Sequence, residues 1–206
     1  DALILHLNPM QEVFQPNGDT DWRDIISHIS EVCEWSPVPV VVKEVGFGLD
    51  LNSSKELVSA GVGILDVAGK GGTRFADIEI ELNKNIREIL STNDVFDNWG
   101  YTTTECLINI SRALPSTTYW ASGGIRNGLD VAKSMCLGAS AVGIAGRLLQ
   151  PATESTDAVL KVMQQFINEL RITCFGLGVA RSGDLNASHV LEGAHADLGN
   201  GLVRYQ

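Results

Sequence analysis

Short runs of aliphatic and β-branched residues alternate along this chain with stretches whose apolar positions recur every three to four residues. The runs at 2–7 (ALILHL), 38–43 (VPVVVK), 62–67 (VGILDV), 117–122 (TTYWAS) and 140–145 (SAVGIA) predict five strands. The helical spacing predicts helices over 20–34, 52–60, 102–113, 127–137 and 153–175. Asp19 or Thr20 would cap the first, and Asn52 or Ser53 the second. Strand and helix in alternation imply βαβ units and a parallel sheet.

Each predicted strand runs into polar or glycine-rich residues: HLNPMQE from His6, KEVGFG from Lys43, DVAGKGGT from Asp66, SGGIRNG from Ser122 and GIAGR from Gly143. Chemistry gathered at the C-terminal ends of parallel strands is the habit of (β/α)8 barrels and of open doubly wound sheets. The open sheet predicts a glycine-rich turn after the first strand, and HLNPMQE, expected here as a loop, is nothing like one. The barrel needs eight strands where five are visible, so its first three are expected to be missing ahead of Asp1. The chain reads as one domain over 1–206, the last five βα units of a TIM barrel with a helical tail. The one long connection, Gly69 to Tyr101, is a candidate lid.

At 206 residues, with 44% hydrophobic and 19% charged residues, the composition is that of an ordinary soluble globular protein. A formal charge of -10 argues against a nucleic-acid surface, which needs clustered Lys and Arg. No apolar run approaches a membrane span, and the start carries no signal-peptide pattern. Cys33, Cys106, Cys136 and Cys174 show no metal-ligand spacing and read as buried free thiols, which fits a reducing, cytoplasmic setting.

The two late loops, around Gly124 and around Gly146, can present backbone N–H groups to a phosphate; the plain alternative is a pair of tight turns. Lys43 ends a strand and would reach the barrel mouth, unless it snorkels. Alternation sends its neighbour Glu44 to the opposite side. Thr73, after two glycines, suits a phosphate or ribityl contact. Glu79 is a possible acid or base, or a solvated helix carboxylate. Gln11 and Glu12 pair a carboxamide with a carboxylate, which suits Mg²⁺ shared with substrate phosphates. His6 is a ligand candidate or a satisfied core histidine, and Trp99 reads as a packing residue. His189 and His195, in a polar tail, carry no signal.

In their order along the chain, HLNPMQE, VVKEVGFG, GGT, Trp99-Gly100, ASGGIRNGLDVAK and LGASAVGIAG closely resemble type 2 isopentenyl-diphosphate delta-isomerase, the FMN-dependent form. The resemblance runs from residue 1 to about 150. It implies a (β/α)8 barrel with FMN at the strand C-termini, Mg²⁺ at the substrate diphosphate, and isomerisation of isopentenyl diphosphate to dimethylallyl diphosphate without net redox change. The flavin must be reduced, with NADPH as reductant, and is implied to aid proton transfer. Carried over by motif, Gln11 and Glu79 are catalytic, and His6, Asn8 and Gln11 bind substrate. Lys43, Thr73, Gly124, Ile125, Arg126, Ala145 and Gly146 hold FMN, and Glu12 holds Mg²⁺. The family implies a homo-oligomer, a tetramer or octamer. It usually has Trp where Phe75 stands, and 80–98 matches it loosely.

Two other readings stand beside this one. A hydroxy-acid oxidase or dehydrogenase would pair a catalytic His and Arg near a late strand, and no His flanks SGGIR. A non-catalytic flavin- or phosphate-binding barrel would have no use for Glu12 as a metal ligand.

Overall fold

The computed structural model describes residues 1–83, 86, 95, 96 and 98–190. Five parallel strands lie side by side in chain order: β1 Leu3–His6, β2 Val40–Lys43, β3 Ile64–Asp66, β4 Thr118–Ala121 and β5 Ala141–Val142. All five predicted strands are present, four of them shortened at both ends and β2 at its start only. The helices are α1 Pro9–Phe14, α2 Ile25–Trp35, α3 Leu51–Ser59, α4 Phe75–Leu82, α5 Thr103–Ala113, α6 Gly128–Cys136, α7 Gly146–Glu154 and α8 Thr156–Gly176.

Alternation along the strands separates two faces. Leu5, Val42, Leu65, Val67, Tyr119 and Ala121 point outward into the main core, with Ile29, Leu57, Leu107 and Ile110 from the helices. Leu65, Leu107 and Ile110 are essentially inaccessible, and burying each such side chain contributes about 1.5–3 kcal/mol. The other face carries Ile4, His6, Val41, Lys43, Asp66 and Trp120, the residues that would line a barrel lumen. Ile4 is 54% exposed, so this face is open at β1.

Local chemistry corrects several sequence expectations. The HLNPMQE segment is helical from Pro9: the Asn8 side chain accepts the Gln11 N–H and proline sits in the first turn, where its missing N–H costs nothing. The helix expected over 20–34 begins at Ile25, after Asp24 in a left-handed conformation, and neither Asp19 nor Thr20 caps it. Asp50 caps α3 through the Asn52 and Ser53 amides, so those two residues are donors to the cap. The single helix expected over 153–175 is the end of α7 followed by α8. The break is Ser155, which is extended and caps α8 through the Ala158 amide. The GIAGR loop closes into helix at Gly146. Part of the Gly69–Tyr101 connection is α4; residues 84, 85, 87–94 and 97 lie outside the described residues, as does His195.

Among the described residues no helix is long and apolar enough to cross a membrane. All four cysteines are free, and three are buried. Burial pushes the Cys106 thiol up to about 12 and the Cys136 thiol up to about 11. Thiolate is the reactive form, so iodoacetamide at pH 8 should leave both unmodified in the folded protein. Peptide mass spectrometry checks this; alkylation of either before unfolding would contradict it.

Candidate active site at the strand C-termini

The sheet register places one residue from each strand in a row across its C-terminal end. His6 pairs with Lys43, Lys43 with Asp66, Asp66 with Trp120, and Trp120 with Ala141. Lys43 therefore stands at the mouth as expected, where its Nζ donates to the Glu44 carbonyl at 2.7 Å. Asp66 is buried beside it and accepts from Ser122 Oγ at 2.6 Å.

Glu44 departs from the alternation argument because β2 ends at Lys43. Its carboxylate turns back over the next turn of chain, where Oε2 accepts the amides of Val45, Gly46, Phe47 and Gly48 at 2.6–2.8 Å. Such convergence on one oxygen requires unusual backbone, and Gly46 and Gly48 supply it at φ +128° and +79°. The other oxygen accepts from the Asn8 amide. Burial raises the Glu44 carboxyl above the ordinary range, and the four amides pull it back down.

Asn8 is consequently fixed at both ends. Its Nδ2 is on Glu44 and its Oδ1 takes the Gln11 amide at 2.7 Å. The carboxylate of the KEVGFG segment thus anchors the N-terminus of α1, and α1 carries Gln11 and Glu12.

Gln11 is buried and bridges two titratable groups. Its Oε1 lies 3.0 Å from His6 Nε2, and its Nε2 donates to Glu79 Oε1 at 3.3 Å. Gln15 donates to the same Glu79 oxygen at 3.2 Å. Glu79 therefore faces the site from α4. The His6 ring meets Phe75 edge-on at 6.4 Å between centroids. Glu12 is half-buried; Oε2 accepts the Asp19 amide at 3.0 Å, and among the described residues Oε1 has no hydrogen bond. No cluster of three metal-ligating side chains occurs among the described residues. A magnesium ion here would rest on Glu12, with substrate phosphate and water completing its shell, an arrangement this ion accepts.

On the far side of the row the glycine loops meet. A side chain at Gly72 would lie 2.7 Å from the Gly124 nitrogen, and one at Gly124 would collide with the Gly71 backbone. Arg126 donates from its guanidinium to the Gly71 carbonyl at 2.9 Å, while its backbone N–H is taken by Asp130. The amides of Gly124 and Ile125 have no hydrogen bond among the described residues. The α7 N-terminus at Gly146 has no side-chain cap, and nothing lies within 4 Å of where a Gly146 side chain would start. Ala145 immediately precedes it. These amides, with the open space before Gly146, fit an anionic phosphate. A cavity of about 300 Å³ lined by Lys70, Thr103, Gly124, Arg126 and Lys133 opens beside them. Thr73 is exposed on the loop entering α4.

Trp99 is 55% exposed and meets the Phe96 ring in a T-shaped contact at 6.4 Å between centroids. His189 lies in a short 3₁₀ turn at Ala187–His189. The sequence reading missed Glu44 as the anchor, Gln15 as a second donor to Glu79, and Asp66. An acidic residue ending an apolar strand, as Asp66 does in ILD, was the available signal for the last.

A family model described as FMN-dependent dehydrogenase matches residues 6–192. Among curated relatives, isopentenyl-diphosphate delta-isomerase of Stutzerimonas stutzeri is 42% identical over 192 residues, covering 93% of this chain and 55% of the relative. The same enzyme of Cronobacter sakazakii is 47% identical over 182 residues, covering 87% and 52%. The chain thus spans about half the length of the curated relatives it matches. A solved structure of (S)-mandelate dehydrogenase superposes with a TM-score of 0.63 at 15% identity, covering 85% of this chain and 42% of that one. A mandelate oxidase superposes at 0.51 with 23% identity, covering 78% and 40%. Those two likenesses concern fold: a TIM barrel of flavoenzymes, of which this chain covers part. With the family model matching nearly the whole chain, and the parallel sheet agreeing with it, this chain belongs to the FMN-dependent dehydrogenase family.

Proposed function

We propose that the protein isomerises isopentenyl diphosphate to dimethylallyl diphosphate, using FMN and Mg²⁺. The observation that carries this reading is Gln11 held between His6 and Glu79, on the same short helix as a Glu12 oxygen without a hydrogen bond among the described residues. A hydride-transferring hydroxy-acid enzyme would want a histidine near the late strands. This chain has none between His28 and His189.

In this reading Lys43 and Thr73 contact FMN. Gly124, Ile125 and Arg126 hold its phosphate from one loop, and Ala145 and Gly146 from the other. The reduced cofactor, with NADPH as the source of its electrons, supplies negative charge and an acidic proton beside the allylic carbons. Glu12 holds Mg²⁺ at the diphosphate, and His6 donates to the same charged group. Glu79 exchanges a proton with the substrate, and Gln11 fixes the geometry between Glu79 and His6. Asn8 holds α1 in place and lends its remaining amide proton to the substrate. Phe75 and His6 wall the site, where exclusion of water favours protonation of an unactivated alkene. The protein works as one barrel domain, in the cytoplasm, as a homo-oligomer.

The test supplies the protein, expressed from its complete reading frame, with FMN, a reductant, Mg²⁺ and isopentenyl diphosphate. Proton NMR should show dimethylallyl diphosphate only when the flavin is reduced. FMN bound without product would sink the reading. Arg126→Ala should weaken FMN binding about tenfold, roughly 1.4 kcal/mol for a charge-assisted phosphate contact. A fluorescence titration measures it, and an unchanged Kd would remove Arg126 from the phosphate site.

A further inference from the structure

Asp66 takes no part in the scheme above, yet it occupies the centre of the lumen-facing row. It is 8% exposed, and its register neighbours are Lys43 on one strand and Trp120 on the other. Ser122, from the loop after β4, donates to Oδ1 at 2.6 Å and fixes the carboxylate's orientation. The Lys43 ammonium is within electrostatic reach of Asp66 but makes its hydrogen bond to the Glu44 carbonyl. Lysine and aspartate therefore stand side by side at the mouth, each with a hydrogen-bond partner other than the other.

We propose that Asp66, through its carboxylate beside Lys43, sets how strongly the bound flavin prefers its reduced form. The inference rests on the reading that Lys43 contacts FMN. Adding electrons to a flavin adds negative charge, and in a site shielded from water a neighbouring charge acts strongly on that change. Lys43 favours the reduced form, and an ionised Asp66 opposes it and offsets part of the lysine's pull. Burial raises the Asp66 carboxyl above its ordinary range, while the Ser122 hydroxyl and the Lys43 charge act against that rise. The Ser122 hydrogen bond is therefore part of the device: without it the neutral acid gains ground and the opposition weakens.

The experiment compares wild type, Asp66→Asn and Ser122→Ala, each expressed from its complete reading frame. Each is titrated with oxidised FMN and, anaerobically, with dithionite-reduced FMN. For Asp66→Asn the affinity for oxidised FMN should change less than about threefold, and that for reduced FMN should rise about tenfold. A tenfold change in the ratio is a rise of about 30 mV in the two-electron midpoint potential. Ser122→Ala should move the ratio the same way by a smaller factor, and it carries the test if Asp66→Asn does not fold. A merely structural Asp66 would weaken both forms equally and leave the ratio fixed; that result overturns the inference while leaving FMN binding intact. Wild type that binds neither form would instead overturn the flavin reading itself, and the inference with it.

Discussion

Glu44→Ala should destabilise the protein by about 4 kcal/mol, more than any other single substitution considered for this site. The carboxylate satisfies five donors at once: four consecutive backbone amides and the Asn8 side chain. Each buried donor left without a partner costs about 1–3 kcal/mol, and water entering the emptied space would recover part of that. For a domain of this size the loss corresponds to a fall in Tm of about 8–16 °C, to be read by circular dichroism. Glu44→Gln keeps an acceptor for the amides but turns an NH₂ group toward the Asn8 amide, so its loss should be smaller. A Glu44→Ala protein melting within 2 °C of wild type (roughly a half to one kcal/mol) would show that solvent already serves those amides.

The anchor also explains why this part of the site was hard to read from the chain. Asn8 and Glu44 are 36 residues apart, and Gln11 and Glu79 are 68 apart. Periodicity reports which face a residue takes within an element, and it found all five strands and the face of Lys43. It stops at the last residue of a strand. Applied one position too far, it sent Glu44 to the opposite side, whereas the carboxylate follows the turn that the glycines of VGFG allow. The opening helix was legible in principle, since Asn followed by Pro is a helix start as readily as a turn. The polar cluster in HLNPMQE drew attention to chemistry and away from capping. Asn8 was read as a substrate ligand, and its chief visible contacts are architectural. The glycine loops were the easiest part. SGGIR and GIAGR each follow a strand, and the glycines of SGGIR meet Gly69, Gly71 and Gly72 where a β-carbon would not fit.

Glu12→Gln should cut turnover by about 100-fold or more, at least about 2.7 kcal/mol of transition-state stabilisation, while FMN binding stays within twofold of wild type. The separation follows from position. Glu12 sits on α1 beside β1, whereas the glycine loops proposed for the flavin phosphate follow β4 and β5. The substitution keeps size and shape, and the Asp19 amide can still be accepted by the carboxamide oxygen. What is lost is the charge that Mg²⁺ requires: a hard cation held by one carboxylate and the substrate's own phosphates has little else to rest on in a region without a three-ligand cluster among the described residues. Raising Mg²⁺ should therefore restore part of the rate in the variant and little in wild type. Steady-state kinetics across a Mg²⁺ series, with FMN affinity measured in parallel, reads both. Unchanged turnover would move the metal away from Glu12. A parallel loss of FMN would mean that α1 had shifted as a whole, and that Glu12 acts through the fold.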